Sequence, residues 1–377
     1  MGDLRWEGIV HEHVDAWFEG RQDRVAIIDA PILHLGAVPE LRLARGKDRR
    51  NLALLVRACA QGEPNPVTMA YLAQEYASEG ALDRAEEVQA RAWVLLTLEH
   101  DGGPPRHRFV RLATVRAKLQ LGRGEIVTAM RTLERAFGWS VELADGRDEL
   151  HPNLIYYRGC ALELAALHTA DPECRGHRLA QAEGLYRRAS ALREQGFTDS
   201  VECGVTSWAA ELRWATVLLA QRRFSAARQL FEQLCAVEDV YREATLGVAE
   251  ALLGEGSPEL ARRHLEGGRA ALCGLPDLSL LIAAVCEALG APHERNRALD
   301  EAVALASGGF TEPHRGLMLE AALRARADGS PIFFPGLRAR PRPRISACVV
   351  AHDGAELLAG CLASLEGAVD EVVVVGR

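Results

Sequence analysis

Histidine and acidic residues near the two ends of the chain are the residues best suited to chemistry. In the segment LRWEGIVHEHV, His11, Glu12 and His13 are consecutive. On an extended stretch residues 11 and 13 share one face, and imidazole and carboxylate groups there suit a divalent metal or a diphosphate. No third ligand is apparent in the sequence. An ordinary polar turn is therefore the simpler interpretation, and a metal or diphosphate site is the alternative.

The second candidate site follows an apolar run near the C-terminal end. The order is a short β-branched run, a stretch of helical periodicity and a second apolar run: ISACVVAH (345–352), AELLAGCLASL (355–365) and DEVVVVG (370–376). This order is typical of a strand, a helix and a second strand in a buried parallel sheet. Ligands of such sheets sit at the carboxyl ends of the strands. Those ends carry His352, Asp353 and Gly376 here.

The remaining histidines and the cysteines show no ligand or catalytic spacing. The histidines in helix edges or loops are His151, His168, His177, His264 and His293. Nine cysteines occur without a C-x-x-C pair, which favours reduced, intracellular thiols over a disulfide framework or a zinc site. No Ser/His/Asp or Cys/His triad can be argued from the sequence, so no catalytic residue is predicted.

One spacing organises the middle of the chain, from Trp208 to Val303. Ala215, Ala249 and Ala283 are separated by steps of 34 residues. The same step relates Phe231, Leu265 and Leu299; Leu234, Gly268 and Ala302; and Gly256 and Gly290. Small residues at a fixed interval let paired helices approach closely, and larger apolar residues fill the space between them. A helix–turn–helix period of this length predicts a helical solenoid that resembles the tetratricopeptide repeat family.

Helices are also predicted on both sides of the three regular repeats. The segments are a helix at 48–62, a first repeat at 66–93, helix pairs at about 107–138 and 152–195, and a final capping helix at 312–329. Asn65 is the expected N-cap of the helix that begins at Pro66, and Gly122 is expected in a turn. The two helix pairs depart from the 34-residue step, and their turn-rich loops can absorb the insertions.

Both ends of the chain carry motifs of one enzyme family. The N-terminal motif residues are Gly8, His11, Glu12, His34, Gly36, Lys47, Arg50, Asn51 and Leu52. The C-terminal ones are Leu358, Cys361, Leu362, Ser364, Leu365, Asp370, Glu371 and Val372 to Val375. Together they resemble bacterial family 2 glycosyltransferases of GT-A type fused to tetratricopeptide repeats. The chain departs from the family pattern at Leu35, Ala37, His352-Asp353-Gly354 and Gly376, where the family has a nucleotide-contacting Asp.

The fold class expected from repeats and resemblance is mainly α, a tetratricopeptide-type solenoid flanked by partial α/β, GT-A-like segments. Residues 1–47 would be the tail of a glycosyltransferase-like domain, and residues 48–330 the solenoid. Residues 331–344 would be a linker rich in Pro and Arg, and residues 345–377 the first βαβ unit of a second, truncated glycosyltransferase-like domain.

The resemblance implies a parent enzyme that transfers a sugar from a nucleotide-sugar donor, with Mg or Mn held on the diphosphate by an Asp-x-Asp pair. His352, Asp353 and Gly376 would lie beside the nucleotide, and His11 and Glu12 beside the diphosphate or the acceptor. The chain has neither that acidic pair nor the family's catalytic base, so we expect no bound cofactor and no transferase activity from it alone.

Two alternatives to an enzyme lineage stay open. The first is a tetratricopeptide-repeat interaction scaffold whose flanks are remnants of an enzyme. The second has the two flanks meet in one sheet, which would need strands from another protein because a βαβ unit of about 33 residues cannot cover both faces of its own sheet.

Composition and the predicted inner face of the regular repeats narrow the classes of partner. A net charge of −8 argues against a general nucleic-acid binder. No run of 18 apolar residues and no signal-peptide segment are found, which predicts no membrane span and a cytoplasmic location. The peptide-carboxylate clamps of the family place Lys and Asn on the inner face. At the inner-face positions this chain has other residues instead: Leu212, Thr216, Leu246, Glu250, Leu280 and Ala284. Such a stripe favours packing over a groove, so no peptide held by its terminal carboxylate is expected, while a protein partner stays open.

Overall fold

The computed structural model describes residues 46–61, 65–98, 106–143, 150–193, 201–330, 332, 334, 346–351, 362 and 371–376. In these ranges the chain forms fourteen α-helices and two strands. The helices of the first half are α1 (Lys47–Gln61), α2 (Pro66–Ser78), α3 (Leu82–Leu98), α4 (Arg106–Gly122), α5 (Ile126–Leu143), α6 (Pro152–Leu167), α7 (Pro172–Ala191) and α8 (Trp208–Ala220). Those of the second half are α9 (Phe224–Leu234), α10 (Tyr241–Gly254), α11 (Pro258–Leu272), α12 (Pro276–Ala288), α13 (Pro292–Leu305) and α14 (Pro313–Ala327). Short 3-10 turns lie at Glu238–Val240 and Ala306–Gly308.

The chain folds as two compact units, unit 1 (Met1–Gln221) and unit 2 (Arg222–Arg377). In unit 1, α2 pairs with α3, α4 with α5, and α6 with α7, and each pair packs on the next. In unit 2, α10 pairs with α11 and α12 with α13, followed by α14. We call α2, α4, α6, α8, α10, α12 and α14 the first helices. Neighbouring first helices of one unit contact each other. No helix in the described ranges is both long and apolar enough to cross a membrane.

The 34-residue repeat is confirmed by the helices and by their buried residues. Ala215, Ala249 and Ala283 lie on the first helices α8, α10 and α12, and each is fully buried. The larger residues of the pattern are buried on the following helices α9, α11 and α13: Phe231, Leu265 and Leu299. The spacing therefore indicated both the elements and the sides by which they pack. The boundary between the two units falls within the first regular repeat.

The turns inside the helix pairs require a left-handed backbone. Gly256 and Gly290, which are 34 residues apart, have φ of 78° and 73°. Arg222 stands 34 residues before Gly256 and also has a positive φ, 61°. Only glycine adopts this conformation without a steric cost from Cβ. In the pair α4–α5 the positive φ of 75° belongs to Gly124. The prediction for Gly122 was wrong by two residues, because Gly122 is still the last residue of α4.

A helix N-cap and close aromatic contacts stabilise the local structure. The Asn65 side chain accepts hydrogen bonds from the backbone N–H of Val67 (2.9 Å) and Thr68 (3.3 Å), which confirms the predicted N-cap. In unit 1 the Trp93 and Trp139 rings lie 5.4 Å apart between centroids. In unit 2 the backbone of Gly247 approaches the Phe231 ring so closely that a Cβ there would lie 2.6 Å from it.

The C-terminal segment contains two parallel strands, β1 (Ser346–Ala351) and β2 (Glu371–Gly376). Their register places Ala351 beside Gly376. Only Leu362, which is helical, is described between them. The strand positions agree with the sequence prediction, but a complete α/β flank is not shown. The N-terminal flank lies outside the described residues up to residue 45, and the described helices form an all-α helical repeat array.

The predicted linker 331–344 is described at two residues only. Ile332 and Phe334 are both buried, with 6% and 3% of their surface exposed. Apolar side chains at the start of this segment therefore pack against the protein.

Candidate functional site

The residues predicted to contact a nucleotide or a diphosphate are mostly outside the described ranges. His11, Glu12, His352 and Asp353 all lie there. Gly376 is described as the last residue of β2, opposite the last residue of β1. Parallel pairing therefore brings the carboxyl ends of both strands to one edge, where His352 follows in sequence. The nucleotide, diphosphate and metal predictions are otherwise untested, and the described residues contain no group of three or more potential metal ligands.

The first helices of unit 1 share a polar surface that the sequence did not reveal. We call it the unit 1 face, and it consists of Tyr71 on α2, Arg111 and Lys118 on α4, and Asn153 and Tyr157 on α6. Arg111 and Lys118 are seven residues apart, and Asn153 and Tyr157 four, so each pair lies on one side of its helix. The Arg111 guanidinium carbon is 4.3 Å from the centroid of the Tyr71 ring, and Lys118 Nζ is 5.7 Å from that of Tyr157. These cation–π contacts join three successive first helices.

A segment of the chain itself is bound on the unit 1 face. Residues 203–207 form turns just before α8, and Glu202 directly precedes these turns. The Glu202 carboxylate accepts a hydrogen bond from the Tyr157 hydroxyl at 2.5 Å and from Lys118 Nζ at 3.1 Å. The backbone N–H of Glu202 donates to Asn153 Oδ1 at 3.0 Å. Three side chains from two helices therefore hold one residue by both its carboxylate and its backbone.

Burial and charge decide how tightly this residue is held. The Lys118 side chain is 42% exposed and that of Glu202 31% exposed. Burial raises the pKa of the Tyr157 hydroxyl, and the neighbouring Glu202 carboxylate raises it further, so Tyr157 stays protonated and donates. An ion pair this exposed contributes only about 0–1 kcal/mol. The contact is specific in geometry and weak in energy.

The first helices of unit 2 hold charged residues in a different way. Arg315 of α14 is 1% exposed, and its guanidinium donates to Glu250 Oε2 of α10 (3.3 Å) and to Asp277 Oδ1 of α12 (3.1 Å). Asp277 also accepts from the backbone N–H and hydroxyl of Thr311, at 3.1 and 2.8 Å. His314 Nε2 lies 2.9 Å from Glu250 Oε1. We call these five residues the unit 2 network, and it ties α10, α12 and α14 together.

The unit 2 network shifts the pKa of its members. Burial alone would raise the pKa of Glu250, but His314 and Arg315 beside it outweigh this effect and lower it to about 2. Burial would lower the pKa of His314, and the Glu250 carboxylate reverses this and raises it. Both groups are therefore stabilised in their charged forms, as expected for a buried pair that is fully hydrogen-bonded.

The predicted inner-face positions are packed. Each of the six residues is at most 8% exposed: Leu212, Thr216, Leu246, Glu250, Leu280 and Ala284. Packing was the favoured interpretation for this stripe, and the burial confirms it. The sequence did not reveal that Glu250 anchors an ion network. His314 and Arg315 in the first turn of α14 offer only a weak sign of an ion network, because such residues are usually solvated.

A second buried polar cluster lies within unit 1. Glu163 of α6 forms an ion pair with Arg213 of α8 and accepts a hydrogen bond from the Tyr186 hydroxyl at 2.8 Å. Burial raises the pKa of the nearby Cys160 thiol to about 11, so it stays protonated at neutral pH and is a poor nucleophile. The cluster joins α6, α7 and α8 and serves packing. The seven cysteines whose side chains the structure describes are all free, and no disulfide joins any of them.

Comparison with known proteins bears on the fold. A tetratricopeptide repeat protein from Parabacteroides merdae ATCC 43184 superposes with a TM-score of 0.50 at 14% identity, over 74% of this chain and 94% of that one. Yeast Tom70 aligns over 76% of this chain and 79% of its own at 12% identity, but its TM-score of 0.30 is too low to support an argument. No protein-family model and no curated protein matches the sequence. None of the solved structures named here is a glycosyltransferase. The described helices therefore have the helical-repeat fold of tetratricopeptide repeat proteins.

Proposed function

We propose that this chain is a protein-interaction scaffold and that a protein partner binds the unit 1 face. The supporting observation is that the face already holds a segment of polypeptide. Glu202 is bound through its carboxylate by Tyr157 and Lys118 and through its backbone by Asn153. A surface that binds a residue from 84 positions along the chain has the chemistry to bind a comparable residue of another protein.

The two units differ in their suitability for a partner. On the unit 1 face Lys118 is exposed, and Arg111 adds a second positive charge two helical turns away. In unit 2 the charged residues of the network bind one another, and Arg315, Asp277 and Glu250 are all buried. Charged groups at an accessible surface raise the rate of association with a complementary partner. Unit 1 is accordingly the binding part of this proposal.

Site-specific photo-crosslinking tests the proposed surface. A photoreactive benzoylphenylalanine replaces Gln74, an exposed residue on α2 three positions after Tyr71. We expect it to crosslink a discrete protein, and we expect Arg111→Glu in the same chain to abolish the crosslink. The matched control carries the photoreactive residue at Arg297, an exposed residue of α13 in unit 2. Crosslinks of equal yield from both positions, unaffected by Arg111→Glu, would show that the unit 1 face is not the binding surface.

A second proposal concerns the C-terminal strands. Their parallel register and the position of Gly376 beside Ala351 favour a relation to the first strands of a nucleotide-binding sheet. We therefore keep, as a proposal, descent from a nucleotide-sugar transferase that uses Mg or Mn, with His352 and Asp353 on the nucleotide side and His11 and Glu12 on the diphosphate side. The cytoplasmic location expected from the sequence also stays a proposal.

Nucleotide release tests the enzymatic part of that second proposal. The sequence contains no Asp-x-Asp motif, and we expect the chain incubated with UDP-glucose and Mn²⁺ to release no UDP above the rate without protein. Metal-dependent release that disappears with EDTA would instead establish a transferase or hydrolase.

A further inference from the structure

We propose that the unit 1 face is a site for an acidic segment of the partner, and that Glu202 occupies this site as an internal competitor when no partner is bound. This inference rests on the proposed function. It adds the chemical class of the partner segment and a means of regulating access to it.

The chemistry of the site selects a carboxylate. The Tyr157 hydroxyl and Lys118 Nζ both donate to the Glu202 carboxylate, at 2.5 and 3.1 Å. The Asn153 side chain accepts the backbone N–H of the same residue. An acidic residue in an accessible stretch of chain satisfies all three groups, and charge-assisted hydrogen bonds favour it over a neutral residue. Arg111, on the same side of α4, favours a second acidic residue nearby.

The internal occupant is held weakly enough to leave. Lys118 and Glu202 keep 42% and 31% of their side-chain surface exposed, so their ion pair is screened by water and salt. The rest of the segment is anchored separately. Val205 is 2% exposed, and the Trp208 ring packs so closely on Gly204 that a Cβ there would lie 2.5 Å from it. Glu202 precedes these anchors, so it can leave the site while the turn and the start of α8 stay in place.

Competition within one chain has a calculable effect on affinity. The apparent dissociation constant equals the intrinsic constant divided by the fraction of molecules in which the site is open. For a contact of about 0–1 kcal/mol, the strength expected for an exposed pair, the apparent affinity falls about twofold to sixfold. Removing the Glu202 carboxylate relieves this competition, provided that Lys118 and Tyr157 are kept.

A peptide with the sequence of the internal segment is the probe. It is fluorescein-labelled Asp-Ser-Val-Glu-Ser-Gly-Val-Thr, which reproduces residues 199–206 with Ser in place of Cys203. Its binding to the full chain is measured by fluorescence anisotropy. We expect weak binding to the natural chain, binding about twofold to sixfold tighter to Glu202→Ala, and a loss of affinity as salt is raised.

Matched controls separate a carboxylate site from general adhesion. A peptide in which Gln replaces the Glu is expected to bind Glu202→Ala at least fivefold more weakly, and Lys118→Met in the Glu202→Ala background is expected to remove binding. Arg297→Met, an exposed change in unit 2, is expected to leave binding unchanged. If Glu202→Ala does not give the helical circular-dichroism spectrum of the natural chain, Glu202→Gln serves as the second variant.

Three results would overturn the inference: equal affinity of the natural chain and the Glu202 variants, equal affinity for the Glu and Gln peptides, or no binding to either variant at millimolar peptide. The outcome of the photo-crosslinking experiment does not depend on any of these three results. A partner that still crosslinks at residue 74 and depends on Arg111 would uphold the scaffold and reject only the acidic segment.

Discussion

The two units build the same helix pairs, but the unit 1 face and the unit 2 network differ in how deeply their charged residues are buried. In unit 2 a guanidinium that is 1% exposed joins two carboxylates, one of them fully buried. On the unit 1 face the ion pair is an ammonium and a carboxylate whose side chains keep 42% and 31% of their surface exposed. A repeat fold thus specifies where the first helices lie, and the burial of charge on their shared face decides whether that face is closed or accessible.

The energetic difference follows from desolvation. A buried ion pair gives little net stability relative to apolar residues, but removing one partner leaves a charge buried without compensation. An exposed pair can be broken at small cost because water replaces the lost contact. The unit 2 network is therefore suited to hold α10, α12 and α14 permanently, and the Glu202 contact is suited to open.

The largest predicted effect tests this contrast directly. Arg315→Met is expected to lower the free energy of unfolding of unit 2 by about 3–5 kcal/mol, because Glu250 and Asp277 lose their shared cation. Lys118→Met in unit 1 is expected to cost less than about 1 kcal/mol. Urea unfolding, followed by circular dichroism, measures the change in the free energy of unfolding for each variant. Amide hydrogen exchange shows whether the protection lost in Arg315→Met lies in α10, α12 and α14.

A double variant distinguishes the charge contribution from the packing contribution to the stability lost in Arg315→Met. Adding Glu250→Gln to Arg315→Met removes one of the two uncompensated carboxylates and is expected to recover part of the lost stability. If the double variant is as unstable as the sum of the two single changes, lost packing of the Arg315 stem accounts for the effect. Equal costs for Arg315→Met and Lys118→Met would remove the contrast between the units altogether.

The pH dependence of unit 2 is the next test. The raised pKa of His314 means that its contribution is complete below pH 6.5, the ordinary histidine value, and is lost as pH rises through the raised pKa. The lowered pKa of Glu250 means that its contribution is complete above pH 4.5 and is lost as pH falls toward 2. These two groups together favour maximal stability between about pH 4.5 and 6.5. Asp277, Glu312 and Arg315 are the other charged groups of this site.

A difference measurement isolates the histidine from the rest of the protein. The melting temperature of His314→Gln is subtracted from that of the natural chain at each pH between 5 and 9. We expect the natural chain to have its largest advantage at the acid end and to lose it as pH rises, because only protonated His314 pairs with Glu250. A difference that is constant with pH would show that the pair does not carry charge.

The parts of this molecule that sequence predicted are those fixed by local spacing. The interval from Ala215 to Ala249 and Ala283 fixes which residues face the neighbouring helix, since helical geometry repeats with the sequence. The N-cap at Asn65 also depends only on the next three residues. Insertions between α3 and α8 broke the period, and in that region the turn glycine was misplaced by two residues.

Both polar sites depend on contacts that no spacing reveals. Lys118 meets Glu202 across 84 residues, and Glu250 meets Arg315 across 65. In the sequence each of these residues looks like an ordinary solvated charge. Its partner is far away in the sequence and comes close only when the helix pairs stack. The glycosyltransferase resemblance had the opposite basis, local motifs around His11 and His352, and it stays a prediction because those residues lie outside the described part of the chain.

The smallest predicted effect concerns the turn at which unit 2 begins. Arg222 has a φ of 61° at the position where the next two repeats have Gly256 and Gly290. A residue with a Cβ costs about 1 kcal/mol in this conformation relative to glycine, and glycine's greater freedom in the unfolded chain offsets part of that. Arg222→Gly is therefore expected to raise the free energy of unfolding by up to about 1 kcal/mol, and Gly256→Ala to lower it by about 1 kcal/mol. Opposite signs in urea unfolding would show that these turns are equivalent in both conformation and energy. If Arg222→Gly is destabilising, side-chain contacts of Arg222 outweigh its backbone strain, and this turn differs from those of the later repeats.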